Sequence, residues 1–325
     1  MFAQAIEEIL RDHCTSAVVR AIESGGSPAA LWGAVAEAGF LDLLAPEEAG
    51  GANLPMAELF PILTHFGRCA VPVPFAQTIA ARALIAPGIA PPPGLLTLAS
   101  ALRRGANGSV TCTLVPFGAM AEQVLAVDRD GLLLLPCARA HRELTGVPRS
   151  HTATLTWADD GAAERIAGDA SALSPFAAAI HAALISGAMT RVFEMTLHYC
   201  NDRVQFGRSL GKFQAVQHQL SVMAEQVAAS CIATEAAYQT EARTPRLLPA
   251  AIAKARASEA AVLVANTAHA LHGAIGVTEE YDLQLLTRRL HEWRMAHGSE
   301  SYWNRLIGEQ VLAGDATLCE FVRSA

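Results

Sequence analysis

The sequence predicts an α+β fold, mainly α, with an N-terminal helical domain, a small central β module and a C-terminal four-helix bundle. Long apolar segments with helical periodicity occupy both ends of the 325-residue chain. Between them, a Pro-rich segment (Pro87 to Pro93) leads into short β-type runs separated by Gly, Asp and Asn turns. Aromatic residues make up only 6% of the chain, and this low share favours packed helices over a β-sandwich.

Residues 1–90 form the first predicted domain, which consists of helices and short loops. A Gly/Pro-rich loop covers residues 45–55, and Pro72 and Pro74 separate the last two helices. Gly39 is expected to end the first of three amphipathic segments. The predicted helices are Ala29–Phe40, Met56–Phe66 and Phe75–Ile85.

Residues 91–168 form the predicted β module, in which about 70 residues suffice for a small barrel or sandwich and little more. The phrase Asp128–Gly131 (DRDG) stands between two apolar runs and predicts a β-hairpin. The short runs of β-forming residues are LLTLAS, SVTCTLV, QVLAVDRDGLLLLPC and TATLTW.

Residues 169–325 form the predicted C-terminal bundle. Phe213, Val216, Leu220, Met223 and Val227 follow one another at alternating steps of three and four residues, which places an apolar stripe along one helix. Four helices joined by short loops predict an up-and-down bundle. These helices are Phe176–Asp202, Phe213–Tyr238, Ala250–His272 and a last helix from Gly298 toward Leu312.

The composition excludes some classes of protein. Acidic residues outnumber basic residues by 31 to 24, so the chain lacks the positive surface that a nucleic-acid-binding protein needs. Hydrophobic residues make up 52% of the chain and charged residues 17%, which indicates that apolar surface is buried against another subunit. Seven scattered cysteines without a CxxC pair are typical of reduced thiols, and we therefore expect a cytoplasmic protein.

One stretch, residues 170–190, contains no charged residue and is long enough to be compared with a membrane span. It contains Pro175, His181 and Gly187, and it is poorer in Leu, Ile and Phe than a membrane-spanning helix. We predict a helix buried in the bundle and no membrane span. The first residues of the chain are partly acidic and lack a long apolar run, so no secretory signal is expected.

Two segments carry the candidate chemistry: RVQFGRSLGKFQAVQH, which begins at Arg203, and LHGAIGVT. The guanidinium of Arg203 suits a nucleotide phosphate, Phe206 could stack near an adenine, and Gln214 could bond to it. Gly273 and Gly276 would let the backbone approach a pyrophosphate closely. The alternative is structural, because an arginine at a helix C-terminus interacts with the helix dipole and glycines commonly end a helix.

These segments resemble hallmark stretches of the acyl-CoA dehydrogenase family, R-x-x-F-G-x-x-x-x-x-F-Q and H-G-G-x-G-x-T. The stretch from Trp32 to Gly51 resembles the N-terminal domain of that family, so the resemblance covers nearly the whole chain. It implies an α/β/α order of domains, FAD as the cofactor, an acyl-CoA thioester as the substrate and α,β-dehydrogenation as the reaction. In that reaction a glutamate removes the α-proton, and the flavin takes the β-hydrogen as a hydride.

The resemblance also implies which residues contact FAD. Arg203 matches the arginine that binds the FAD pyrophosphate across a subunit interface, and Gly273 and Gly276 match the glycine turn near it. Phe206 and Phe213 match positions around the adenine half. The full set of matching positions is Arg203, Phe206, Phe213, Gln214, Gly273, Ala274, Gly276, Ser299 and Ser301.

Two departures from the family pattern lie beside the glycine turn. The family usually has Q-x-x-G-G, but Ala270 replaces the Gln and Ala274 replaces the second Gly. The β module departs as well, because the Tyr/Phe-x-x-T-E and Trp-x-T phrases that flank the flavin ring in relatives are missing, and Trp157 lies late in the module. A flavin-ring pocket within this chain is therefore not expected.

The catalytic base is the largest departure. The usual Glu stands 21 residues after the last Gly of the turn, and this position is His297 here. Another family position for the Glu falls near Ala177, in a segment without an acid between Asp169 and Glu194. His297 could act as a general base, because an unperturbed histidine pKa of about 6.5 suits that role. The alternative is a packed or solvated histidine.

Together, the chain keeps the positions that serve the FAD of a neighbouring subunit and lacks those that serve its own flavin and substrate. It is therefore most similar to the short, non-catalytic subunit of the two-gene α2β2 acyl-CoA dehydrogenases, whose full-length partner subunit supplies the Glu and the substrate cleft. Two alternatives stay open. One is a homo-oligomeric flavoenzyme with different chemistry at His297, and the other is a flavin-free scaffold subunit.

Overall fold

The computed structural model describes residues 1–129, 131–315, 317 and 319–321. Five helices form the N-terminal part, and three of them confirm the helices predicted from sequence, with ends that differ by up to three residues. The two earliest helices lie in a region predicted as helical without bounds. The five are α1 Phe2–His13, α2 Ser16–Glu23, α3 Ala29–Glu37, α4 Met56–Arg68 and α5 Phe75–Leu84.

Eight strands form the central β module in the part of the chain that the structure describes. They are β1 Leu96–Ala99, β2 Arg103–Arg104, β3 Val110–Val115, β4 Gln123–Asp128, β5 Gly131–Pro136, β6 His141–Leu144, β7 Ala153–Trp157 and β8 Glu164–Ile166. They make two four-stranded sheets, ordered β1-β4-β5-β8 and β2-β3-β7-β6. β1 and β4 are parallel, and the other pairs are antiparallel. The predicted hairpin is confirmed, since Asp128 pairs with Gly131; Asp130 in its turn lies outside the described residues.

Among its described residues, the C-terminal part consists of five α-helices of known bounds and a short hairpin. They are α6 Leu173–Asp202, β9 Val204–Gln205, β10 Arg208–Ser209, α7 Gln214–Tyr238, α8 Leu247–His272, α9 Leu283–Met295 and α10 Glu300–Ala313. The order of helices, β module and helices confirms the predicted α+β class. Helix α9 was not predicted, because charged residues such as Arg289 interrupt the apolar pattern in its sequence. Arg289 on α9 is 2% exposed and is paired with Glu23 and Glu292.

The main core lies where α6 passes between the N-terminal helices and α8. Helices α4 and α6 approach each other at two glycines. A Cβ at position 67 would lie 2.1 Å from the Leu184 carbonyl oxygen, and a Cβ at position 187 would lie 2.0 Å from the Thr64 carbonyl oxygen. Only glycine permits this backbone contact. The small residues of α6 therefore serve close helix packing.

Within the described ranges, two helical segments are long and apolar enough to cross a membrane, α6 and Leu247–Val277. In α6, 83% of the most apolar window is buried inside the protein, so its central position in the core accounts for its composition. In Leu247–Val277, 39% of the corresponding window is buried. Much of the apolar surface of α8 therefore lies outside the core of this chain.

Candidate functional site

The residues that the sequence assigns to the site lie in two groups at opposite ends of α8. His272 ends α8 and Gly273 follows it, whereas Lys254, near the start of α8, donates to the Gly298 carbonyl oxygen at 3.0 Å. The 18 residues from Lys254 to His272 span roughly 27 Å of helix. The hairpin cluster contains Arg203, Phe206, Phe213, Gln214, Gly273, Ala274 and Gly276. The loop cluster contains His297, Ser299 and Ser301.

The β9–β10 hairpin presents an aromatic ring to the surface. Phe206 and Gly207 form its turn with φ of 52° and 79°, as the two central residues of a type I′ turn require. A positive φ costs a residue other than glycine about 1–3 kcal/mol, yet the Phe206 side chain is 89% exposed. Burial within this chain does not offset the strain. An exposed aromatic residue in a strained turn is typical of a binding surface.

Phe213 is less available than the sequence suggests. The Arg208 guanidinium carbon lies 4.1 Å from the centroid of the Phe213 ring, as in a cation–π contact. The Phe206 ring approaches edge-on, with centroids 6.2 Å apart. Because Arg208 covers one face of Phe213, Phe206 is the more open surface for an adenine. Gln214, the first residue of α7, is exposed beside them.

The two glycines of the turn after α8 serve different needs. Gly273 has φ 64° and ψ −143°, a conformation that is essentially restricted to glycine, although a Cβ there would have free space. Gly276 is buried, and a Cβ there would meet the His272 side chain at 3.0 Å. Ala274 is exposed, so the turn accommodates its methyl group. One glycine shapes the turn and the other packs it.

The hairpin cluster fits the phosphate and adenine part of a dinucleotide. Arg203, Phe206, Gln214, Gly273 and Ala274 are all exposed. A guanidinium and an exposed backbone turn suit phosphate oxygens, and a phenyl ring suits an adenine. These groups all stand on the surface of the chain.

The loop cluster lies where the β module meets the helices. His297 has φ 55° and precedes Gly298 with φ 105°. Its Nδ1 lies 2.5 Å from the Ser100 hydroxyl oxygen, and its ring centroid is 4.9 Å from that of His181. Among the hydrogen bonds of the described residues, the buried Nε2 of His297 has no partner. Gln77 lies behind His181, with 3.5 Å between Gln77 Nε2 and His181 Nε2.

The electrostatics of this position disfavour His297 as a general base. Burial of the ring and, to a lesser degree, the Lys254 ammonium lower the pKa of His297 to about 3. Burial also lowers the pKa of the fully enclosed His181. A general base works best with a pKa near the working pH. His297 is neutral at pH 7 and holds a proton only weakly.

Lys254 is a functional-looking group that the sequence did not reveal. It is fully buried, and its Nζ donates to Ser258 Oγ at 2.9 Å, to the Arg294 carbonyl at 2.8 Å and to the Gly298 carbonyl at 3.0 Å. Burial lowers its pKa to about 7. The available signal was a lysine inside the Ala-rich run AIAKARASEAAVL. Its two bonds to backbone carbonyls fix the connection between α9 and α10 to α8.

Two adjoining cavities separate the β module from α9 and α10. One, of about 280 Å³, is lined by Ser100 and His297, and the other, of about 350 Å³, by Thr152 and Glu292; Leu114 lines both. Among the described residues that line the first cavity, no side chain carries a carboxylate. In the second, the Glu292 carboxylate is engaged by the Thr152 hydroxyl and the Arg289 guanidinium. No free carboxylate of the described residues faces the crevice from these linings.

Two family models and two similar curated proteins indicate the family of the chain. Residues 1–90 match the model of the acyl-CoA dehydrogenase N-terminal domain, and residues 172–312 match that of the C-terminal domain. Acyl-CoA dehydrogenase IpdE2 of Mycolicibacterium smegmatis is 32% identical over 299 residues, covering 90% of this chain and 91% of that protein. The chain belongs to the acyl-CoA dehydrogenase family. The IpdE2 protein of Mycobacterium tuberculosis is 30% identical over 297 residues, with 90% of each chain covered.

Solved acyl-CoA dehydrogenase-like structures share the fold along nearly the full length. The ChsE4–ChsE5 complex from Mycobacterium tuberculosis matches with a TM-score of 0.84 and 22% identity, covering 97% of both chains. The Tcur3481–Tcur3483 steroid acyl-CoA dehydrogenase variant matches with a TM-score of 0.77 and 26% identity over 97% of this chain and 98% of that one. PigA, solved with FAD and proline, matches with a TM-score of 0.78 and 14% identity, covering 96% of this chain and 97% of that chain. The predicted family is confirmed, and family membership supports FAD as the cofactor.

Proposed function

We propose that this chain is the helper subunit of a heteromeric, FAD-dependent acyl-CoA dehydrogenase. In this proposal a full-length partner subunit supplies the catalytic glutamate and the substrate cleft, and this chain completes the FAD site. The observation that carries the proposal is the separation of the hairpin cluster from the loop cluster by roughly 27 Å along α8.

The distance between the hairpin cluster and the loop cluster indicates that the two clusters serve cofactors held by different subunits. A flavin seated in this chain's own crevice would lie beside His297 and Ser100, at the other end of α8 from Arg203. Arg203 and the Gly273 turn are therefore available to a cofactor that another subunit holds. The surface around them is apolar, since Val204, Phe206, Ile275 and Val277 are 43–89% exposed. Such a patch favours a protein partner.

The crevice of this chain lacks what the reaction requires. Desaturation needs a base near the α-carbon of the thioester, and His297 with a pKa of about 3 is a weak one. His181 and Gln77 fill the space behind it. These features favour a non-catalytic subunit over a homo-oligomer that uses His297.

The roles of this chain's residues follow from their chemistry. FAD, when bound, supplies the two-electron acceptor of the dehydrogenation. The Arg203 guanidinium would bind its pyrophosphate, the Gly273 turn would offer backbone groups to the same phosphates, and Phe206 would cover the adenine. Removal of the α-proton falls to the partner subunit. The substrate class is an acyl-CoA thioester, and the steroid acyl-CoA dehydrogenase among the structural relatives favours a steroid-derived acyl group.

Co-expression tests the proposal. The chain is purified alone and together with a full-length acyl-CoA dehydrogenase encoded by a neighbouring gene, and flavin absorbance is measured per subunit. We expect little flavin in the chain alone, full occupancy in the complex and dehydrogenation only in the complex. A yellow, active homo-oligomer would overturn the proposal in favour of chemistry at His297. A stable complex without flavin would overturn it in favour of a scaffold.

Replacement of Arg203 sharpens the test. Arg203→Ala in this chain removes a charged hydrogen-bonding group, which corresponds to about a tenfold or greater loss of FAD affinity in the complex. The matched control is Arg139→Ala, because Arg139 is an exposed arginine of the β module. Equal affinity in the wild-type and Arg203→Ala complexes would contradict the role of the hairpin cluster.

A further inference from the structure

We propose that Tyr199 is a positioning residue that holds Arg203 and the Gly273 turn in register, so that both reach the same dinucleotide. The inference rests on the proposed function, because it concerns how this chain presents its half of the FAD site. It is carried by the place of Tyr199 in the last turn of α6 and by its contacts with the end of α8.

Tyr199 contacts Arg203 through its backbone. The two residues lie one helical turn apart at the end of α6, and the Arg203 backbone N–H donates to the Tyr199 carbonyl at 2.9 Å. Arg203 is the residue that caps α6, and its own carbonyl accepts from the Leu210 N–H at 2.9 Å after the hairpin. The Tyr199 carbonyl therefore holds the backbone of Arg203, and the hairpin starts directly after Arg203.

Tyr199 contacts the glycine turn through its side chain. Its hydroxyl donates to the carbonyl oxygen of His272 at 3.2 Å, in the peptide that joins His272 to Gly273. Its ring stacks on the His272 imidazole, with centroids 4.4 Å apart and 24° between the planes. One side chain thus holds both the peptide and the ring at the point where α8 reverses into the turn.

The His272 ring is fixed from its other sides as well. Its Nδ1 lies 2.8 Å from the Ala268 carbonyl, so Nδ1 carries the proton, and Nε2 accepts from the Tyr281 hydroxyl at 3.3 Å. Burial lowers the pKa of His272, which keeps this donor and acceptor pattern. With its ring held in place, His272 gives Tyr199 a rigid partner. The turn therefore cannot shift relative to α6 without breaking the bond from the Tyr199 hydroxyl.

The experiment is a double-mutant cycle in the co-expressed complex. FAD is removed and titrated back, and its Kd is measured by flavin fluorescence for wild type, Tyr199→Phe, Arg203→Ala and the double variant. Tyr199→Phe deletes one hydroxyl and keeps the stacked ring, and loss of one neutral hydrogen bond corresponds to an increase in Kd of about two- to tenfold. In the Arg203→Ala background we expect a smaller increase, because the turn and the guanidinium bind the same phosphates and their effects are coupled.

Tyr238→Phe is the matched control. The Tyr238 hydroxyl is buried and, in the part of the chain that the structure describes, has no hydrogen-bond partner. We expect an unchanged FAD Kd for this variant, and an unfolding midpoint for the Tyr199→Phe apo complex close to wild type. An unchanged Kd for Tyr199→Phe, or an effect that simply adds to that of Arg203→Ala, would overturn the positioning role. If Arg203→Ala itself leaves the Kd unchanged, the proposed function fails and this inference fails with it.

Discussion

The ammonium of Lys254 donates a hydrogen bond to the carbonyl oxygen of Gly298 at 3.0 Å. Because the same ammonium also reaches the Arg294 carbonyl and the Ser258 hydroxyl, its three protons are all used. Buried charges persist in proteins when their hydrogen bonds are satisfied in this way. The left-handed His297–Gly298 segment is thereby fastened to α8.

Replacing Lys254 by Met should destabilise the chain. The substitution keeps an apolar stem of similar length but leaves buried acceptors without a donor, and each such loss costs about 1–3 kcal/mol. We expect a lower urea midpoint for Lys254→Met, measured by circular dichroism. The matched control is Lys212→Met, since Lys212 is exposed and is the only other lysine in the chain. Equal midpoints for the two variants would show that the buried ammonium does not stabilise this connection.

Placing a carboxylate at position 297 should not create an active site. His297→Glu restores the residue type that the family uses, but His181 and Gln77 still fill the space behind it. We expect no dye reduction with acyl-CoA thioesters above background from the His297→Glu chain purified alone. His297→Gln controls for loss of the imidazole. Turnover by the glutamate variant without a partner would show that the crevice of this chain is a working substrate site.

The chain should lose stability as the pH falls below about 6.5. Burial is the main cause that lowers the pKa of seven histidines, to about 3 for His297. In the unfolded chain these groups bind protons near pH 6.5, so between that pH and the folded-state pKa the unfolded state binds more protons than the folded state. Stability therefore falls with falling pH. The seven are His65, His151, His181, His269, His272, His291 and His297.

Urea midpoints at steps from pH 7.5 to pH 5 measure this effect. The range above pH 5 separates histidines from carboxylates, which titrate near pH 4 in unfolded chains. His297→Gln should have a flatter dependence than wild type, whereas His218→Gln, at an exposed position, should follow the wild-type curve. A midpoint that stays constant between pH 7 and pH 5 would contradict the lowered pKa values of these histidines.

Adding a methyl group at Gly187 should separate α4 from α6. The new Cβ would lie 2.0 Å from the Thr64 carbonyl oxygen, and overpacking of a core costs about 1–3 kcal/mol or more. We expect a lower midpoint of thermal unfolding for Gly187→Ala. Gly308→Ala is the control, because a Cβ there has no neighbour within 4 Å and alanine favours the helix. A wild-type midpoint for Gly187→Ala would mean that the two helices are not in backbone contact.

Periodicity and turn residues were sufficient to predict the order of the elements and most of the helices. They failed for α9, because Arg289 is buried through an ion pair with Glu23 on α2, which is distant in sequence. They failed for Lys254 for the same reason, since two of its three acceptors lie about 40 residues further along the chain. Burial of a charge depends on partners that a local pattern does not contain.

The sequence by itself determined the family and the identity of the candidate residues, because Arg203, the Gly273 turn and the position of His297 can be recognised from local spacing alone. Only the tertiary structure decided how these residues are divided. The length of α8 separates Arg203 from His297, and the packing of β1 and α6 against His297 buries its ring. Separation and burial arise from contacts between distant segments, and these contacts decide which part of the chain can bind a cofactor.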